Sequence, residues 1–225
     1  MEAAIARMHD LAEQWHADDV LGWAFSTYQG CFEIASGFGV EGVVLIDIAA
    51  RLNPDLRVFT VDTGLLFPET YALIERIENR YHLQVERLRY TVPPEAQEPE
   101  RGALWSRAPD ECCALRKVTP LRNKLRSLRA WATSIRRDQT RFRSNAGKVE
   151  WDAKFGLVKV NPLADWTAEK VWSYVRKYEL PYNILHDRDY PSIGCMPCTR
   201  PVKPGEDARS GRWPGFAKTE CGLHG

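Results

Sequence analysis

At 225 residues the chain has room for one principal domain with a full core and an appended lobe, and too few residues for two large domains. Its 44% hydrophobic and 27% charged residues are those of an ordinary globular protein, and no apolar run nears the roughly 20 residues that a membrane-spanning helix needs. The net charge of +1 hides an uneven distribution: residues 112–143 hold ten Lys or Arg against the single acid Asp138, which calls for an anionic partner unless the segment is merely a solvated basic face.

The opening stretch MEAAIARMHDLAEQW has helical apolar spacing at Ile5, Met8, Leu11 and Trp15. It lacks the apolar core and small-residue cleavage site of a secretory leader, so the expected compartment is the reducing cytoplasm. There, six cysteines read as metal ligands, catalytic thiols or core residues before they read as a disulfide framework. After a second helical segment, CFEIAS (31–36) reads as a buried strand, with Cys31 a core residue inside it. The strand runs into the glycine-bearing turn SGFGVEG and then the helix VVLIDIAARL. The order repeats with LRVFTVDTG as strand and loop, PETYALIERIENRY as a helix opened by Pro68, and LQVERLRY as a strand. Strands alternating with helices imply a parallel sheet covered on both faces, with ligands bound at the carboxyl ends of its strands.

Residues 91–101, TVPPEAQEPER, read as an irregular connection. A basic helix is expected over 112–129, a strand at AWATSI, a loop at RRDQTRFRS and a helix at TAEKVWSYVRKY. From Leu180 onward six prolines exclude long helices, so the last 45 residues should be ordered mainly by what they bind. The expected division is a nucleotide-binding α/β region over 1–180 and a C-terminal segment over 181–225 within the same domain.

Three features carry chemistry. Ser36-Gly37-Phe38-Gly39 stands where a strand feeds a helix N-terminus, a place suited to an anion, although it is neither a P-loop nor a G-x-G-x-x-G turn. Cys112 and Cys113 are adjacent and poorly able to pair with each other, while Cys195 and Cys198 have the C-x-x-C spacing. Two such pairs can close a four-thiolate site, and zinc and an iron–sulfur cluster both accept one. Cys221 lies on a glycine-containing tail near Lys218 and His224, where an exposed thiol beside cations is a candidate nucleophile.

Taken together, SGFGVEG, VDTGLLFPETY, CCALRKVTPL, IRRDQT, VNPLADWTAEKVWSYV, PYNILHDRDYPSIGCMPCTRP and ECGLHG resemble the assimilatory adenylyl-sulfate reductases, the iron–sulfur branch of the phosphoadenylyl-sulfate reductase family, across essentially the whole chain. The resemblance implies an adenine-nucleotide alpha-hydrolase-like, Rossmann-like sheet and a [4Fe-4S] cluster on Cys112, Cys113, Cys195 and Cys198. It also implies reduction of adenylyl sulfate to sulfite and AMP by reduced thioredoxin, through an S-sulfonate on Cys221. By the same resemblance Ser36, Gly37, Gly39, Thr63 and Gly64 form the nucleotide cradle and Arg136 and Arg137 meet the phosphate. Lys117 stands between cluster and substrate, and Arg209, Arg212 and His224 neutralise the sulfate. The family's usual Thr-Gly-Leu after the fourth strand reads Thr133-Ser134-Ile135 here. Phosphoadenylyl sulfate, alone or as a second substrate, is the nearest alternative, and a zinc-stabilised nucleic-acid-binding protein is the alternative from another class. Neither a membrane nor a nucleic-acid partner is expected, and a homo-oligomer is compatible with the resemblance.

Overall fold

The computed structural model describes residues 2–91 and 103–224, so the connection expected at 91–101 lies, apart from Thr91, outside the described residues. Helices α1 (Glu2–Ala12) and α2 (Ala17–Tyr28) lead into β1 (Phe32–Ala35), and then α3 (Val40–Leu52), β2 (Val58–Asp62), α4 (Pro68–Tyr81) and β3 (Val85–Arg89) follow in alternation. The short helices α5 (Leu104–Arg107) and α6 (Pro109–Cys113) precede a π-helical turn (Ala114–Val118), which continues into α7 (Thr119–Leu125). Strands β4 (Ala130–Ala132), β5 (Val149–Asp152) and β6 (Leu157–Val160) and helix α8 (Ala168–Lys177) complete the regular elements. None of the described helices is long and apolar enough to cross a membrane.

The six strands form one sheet in the order β3-β2-β1-β4-β6-β5, parallel except for β5, which runs antiparallel to β6 at the edge. Strands β1, β4 and β6 are only three or four residues long and almost wholly buried, as expected of central strands covered on both faces. Strand order reverses around β1, whose neighbours are β2 on one side and β4 on the other. The loops leaving β1 and β4 therefore diverge and open a crevice at their carboxyl ends, the position where open α/β sheets bind ligands.

Helix packing on this sheet follows from sequence. Pro68 sits in the first turn of α4, where its missing N–H is not needed, and the Thr167 hydroxyl accepts from the Lys170 N–H to cap α8. Buried Asp47 of α3 accepts 2.7 Å hydrogen bonds from the Tyr81 and Tyr174 hydroxyls, tying α3, α4 and the last helix together. Burial and the Asp47 carboxylate both push the Tyr81 and Tyr174 hydroxyls well above the usual phenol range, so they act as permanent donors.

The structure revises three expectations. The basic helix of 112–129 begins earlier, at Pro109, is interrupted by the π turn and ends at Leu125. Strands β5 and β6 fill a stretch for which the sequence reading placed no strands; Lys159 is buried in the sheet there because Glu150 on β5 pairs with it at 3.1 Å. Cys31 closes a 3₁₀ turn just ahead of β1 and is half-buried, since the strand starts one residue later.

Candidate active site

The crevice is a cavity of about 440 Å³ whose lining comes from four loops and the C-terminal tail. Its floor is the β1–α3 turn, with Ser36, Gly37 and Gly39. The Ser36 hydroxyl accepts from the Phe38 N–H at 3.1 Å, holding a turn in which Phe38 takes a left-handed φ of 54°. A Cβ at Gly42 would overlap that hydroxyl, so the close packing of the turn on α3 requires glycine there. Thr63 follows β2 and lines the same space, whereas Gly64 lies outside the lining, its N–H bound to Asp62 at 2.9 Å.

The cations divide into two groups. Arg136, after β4, lines the cavity but already pairs with Glu41 at 3.1 Å and with Asp138. Arg137 points away from it, gripping the Glu13 carboxylate at 2.6 Å and the Ala146 carbonyl at 2.8 Å. Arg209 and Arg143 line the cavity and share the carboxylate of Glu220. Lys117 and Arg212 also line it, and among the described residues no carboxylate pairs with either. The Arg212 guanidinium lies 4.5 Å over the Trp213 ring and against Gly194, where any Cβ would collide with it. Buried Nε atoms of Arg209 and Arg212 have no hydrogen-bond partner, so both side chains hold donors in reserve.

Cys221 is seated in this cavity, half-buried, rather than exposed on a free tail. Burial pushes its thiol up, but Lys117, the Leu223 amide and Arg212 outweigh that, so the thiolate is favoured below the ordinary cysteine range. The sequence reading assigned that role to Lys218 and His224, and the structure moves both. Lys218 is tied to Asp110 and lies over the Trp213 ring. His224 lines the cavity but stacks on Trp131, centroids 6.0 Å apart and planes 16° from parallel. Burial, with Lys159, Arg143, Arg209 and Lys154 nearby, pushes its imidazole well below the usual range, so it stays neutral. It can offer a hydrogen bond but not a positive charge.

Beside the cavity, Cys113, Cys195 and Cys198 form a buried cluster with Trp213, packed against Leu65, Trp105 and Cys221. Cys112 is buried next to them, and all six cysteines are free thiols. Backbone bonds hold the C-x-x-C turn in place: the Met196 N–H to Leu65 at 2.8 Å, and the Trp213 N–H to the Cys198 carbonyl at 3.0 Å. Burial and the neighbouring thiols push Cys112 up and Cys198 up to about 11, and burial pushes Cys113 up, although Lys117 opposes it. Cys112, Cys113 and Cys198 therefore favour the neutral thiol, and they become thiolates when a cationic group takes them as ligands. Among the described residues no three His, Cys, Asp or Glu side chains are gathered around a single-ion position. Lys117 faces thiols and cavity alike, and although burial disfavours its charge, the neighbouring sulfurs of Cys195, Cys221 and Cys113 push its ammonium above the ordinary range.

Two lining residues escaped sequence reasoning. His186 presents a buried Nε2 with no partner and is held neutral by burial, and Arg143 reaches across 77 positions to Glu220. His186 falls within PYNILHDRDYPSIGC, a segment the resemblance had marked, and Arg143 in the expected loop RRDQTRFRS just past the marked IRRDQT, but nothing in their spacing singled them out.

Comparison with known proteins points in one direction. Residues 32–201 match the phosphoadenosine phosphosulfate reductase domain family. A protein of Halalkalibacterium halodurans named adenosine 5'-phosphosulfate reductase is 46% identical over 226 residues, covering 100% of this chain and 98% of its own. One from Bacillus subtilis, named adenosine 5'-phosphosulfate reductase 1, is 48% identical over 207 residues, 91% of this chain and 89% of its own. Among solved structures, the phosphoadenylyl-sulfate reductase of Candida auris in complex with phosphate superposes with a TM-score of 0.80 at 25% identity, over 89% of this chain and 98% of that one.

Proposed function

The chain belongs to the phosphoadenosine phosphosulfate reductase family, and from that premise we propose that it reduces adenosine 5'-phosphosulfate to sulfite and AMP, with Cys221 as nucleophile and reduced thioredoxin as reductant. The observation that carries this reading is the seating of Cys221 in the crevice beside Lys117 and Arg212, lining cations that no carboxylate pairs with among the described residues.

The chemistry follows from those groups. The Cys221 thiolate attacks the sulfur of the sulfate group, a sulfur–sulfur bond forms, and the sulfur–oxygen bond to AMP breaks with its electron pair leaving on the phosphate. Lys117 and Arg212 neutralise the sulfate as charge moves off it, and the β1–α3 turn receives the nucleotide. A thioredoxin thiolate then attacks the Cys221 sulfur and expels sulfite with the bonding pair. Its second thiol frees Cys221, leaving thioredoxin oxidised by two electrons.

The four buried thiols have the donor chemistry of an iron–sulfur site, so Cys112, Cys113, Cys195 and Cys198 would hold a [4Fe-4S] cluster. Bound there, the cluster would supply iron–thiolate bonds, and its ligands would come from the α6 end and the C-terminal segment. Lys117, which faces Cys113, Cys195 and Cys221, would stand between such a cluster and the substrate.

The test is sulfite release from adenosine 5'-phosphosulfate and from its 3'-phosphorylated form, each with and without reduced thioredoxin. Release from the first compound alone, dependent on thioredoxin, is the expected result, and the relatives' names favour that substrate. Equal turnover of both would make this a dual-substrate enzyme, and no sulfite from either would remove the proposal. Arg212→Ala should weaken kcat/KM by about 1–3 kcal/mol, the range for a lost charge-assisted contact to an anion. Steady-state kinetics unchanged by the substitution would show that Arg212 only coats the tail.

A further inference from the structure

Beside the packing of Leu223 and the stacking of His224 on Trp131, the C-terminal tail is held in the cavity by one largely buried carboxylate, Glu220. Arg143 donates to Glu220 from Nε at 3.1 Å and from Nη2 at 2.8 Å, Arg209 donates from Nη2 at 3.3 Å, and the Thr140 hydroxyl donates at 3.3 Å. The Arg143 and Glu220 side chains are only 10% and 11% exposed, unlike the surface pairs that contribute little to stability. Weaker ties flank this one: Arg209 to the Thr219 carbonyl at 2.7 Å and Lys154 to the Gly222 carbonyl at 2.5 Å, both to backbone oxygens. Glu220 immediately precedes Cys221 and is therefore the side chain best placed to decide whether the thiol is inside the cavity or outside it.

We infer that Glu220 is a positioning residue, a latch whose seat is the Arg143–Arg209 pair, and that breaking this ion pair frees the tail with Cys221 on it. The inference rests on the reading of Cys221 as the thiol that must meet both a nucleotide in the crevice and a protein outside it. In the latched form the thiol faces Lys117 and Arg212 and a protein partner has limited access to it; in the unlatched form it is presented outward. In this structure Arg209 and Arg143 hold the tail, whereas no carboxylate among the described residues pairs with Lys117 or Arg212. The seat is a site for an oxyanion, and in this structure the oxyanion is the protein's own.

Limited trypsin digestion of the intact, anaerobically purified protein reads the latch without reference to activity. Lys218, whose side chain is 9% exposed in the latched form, is the last cleavable residue, so opening of the tail releases the peptide Thr219–Gly225 for mass spectrometry. Glu220→Gln, which keeps shape and removes charge, should speed that release at least about tenfold, because cleavage tracks the population of the open form. Arg143→Ala should do the same and Arg143→Lys should fall between it and the native protein. The double variant should release the peptide no faster than Glu220→Gln alone, since Arg143→Ala removes a contact that Glu220→Gln has already weakened. Arg141→Ala, on the same turn and exposed, serves as a control and should change nothing. Unchanged release from Glu220→Gln, a rise shared by every cleavage site in the chain, or additive effects in the double variant would each overturn the latch. None of these outcomes depends on whether Cys221 performs the chemistry, so failure of the latch and failure of the nucleophile assignment show separately.

Discussion

Cys221→Ser protein is expected to fold, to retain its metal content and to lose sulfite release by at least about 10³-fold, because a hydroxyl at that position remains protonated where the thiol ionises. The expectation follows from the groups around the sulfur. Burial raises the thiol, but Lys117, the Leu223 amide and Arg212 together bring it below its ordinary range. A serine with an ordinary alcohol acidity gains far too little from the same neighbours to become a nucleophile. A second measurement locates the chemistry: adenosine 5'-phosphosulfate without reductant should leave one added SO₃ group on the peptide that contains Cys221. An adduct on Cys31 instead, or near-native turnover by the serine variant, would reassign the nucleophile.

The other large effect is expected at the thiol cluster. Anaerobically prepared protein should carry about four irons and four acid-labile sulfides per chain, and Cys198→Ser should lose most of both. Cys198 is the informative position, since burial and the neighbouring thiols push its thiol up to about 11 against the pull of Lys117, so metal binding is what would make it a thiolate ligand. Its backbone accepts from Trp213, and the loss of ligation should loosen the segment that carries Arg209 and Arg212. Stoichiometric zinc without iron in the native protein, or full iron in the variant, would rule out the cluster assignment.

What the sequence disclosed, and what it withheld, follows the range of the interactions involved. Helix α4 was legible because its signals are local: Pro68 opens it and apolar residues recur at helical spacing up to Tyr81. The β1 turn was legible for the same reason, with Ser36, Gly37 and Gly39 in one short run at a strand end. Strands β5 and β6 were not, because they are four residues each and one of them buries Lys159, a residue whose partner Glu150 becomes visible only once the strands are paired. The tail was misjudged most. Read as a chain end with glycines it looked unanchored, yet Leu223 packs against the Phe59, Leu121 and Trp131 cluster and His224 stacks on Trp131. The same stacking removes water from the imidazole and with it the charge that the sequence led one to expect. Arg137 shows the converse error, a cation adjacent in sequence to Arg136 whose side chain serves Glu13 on the opposite side of the loop.

The π turn between the cysteine pair and α7 changes how this region must be counted. The Thr119 N–H bonds to the carbonyl of Ala114, five positions back instead of four, so one residue more than a regular helix needs is wound into the same length. Everything beyond it is rotated by about 100° relative to an unbroken helix. Cys112 and Cys113 upstream, and Leu121 and Leu125 downstream, can therefore both face their own buried clusters, although no single helical periodicity relates them. A relative with one residue fewer between Cys113 and Thr119 would have to turn either its thiols or its leucines out of the interior. Length in this short interval is thus a constraint of its own, independent of which side chains fill it.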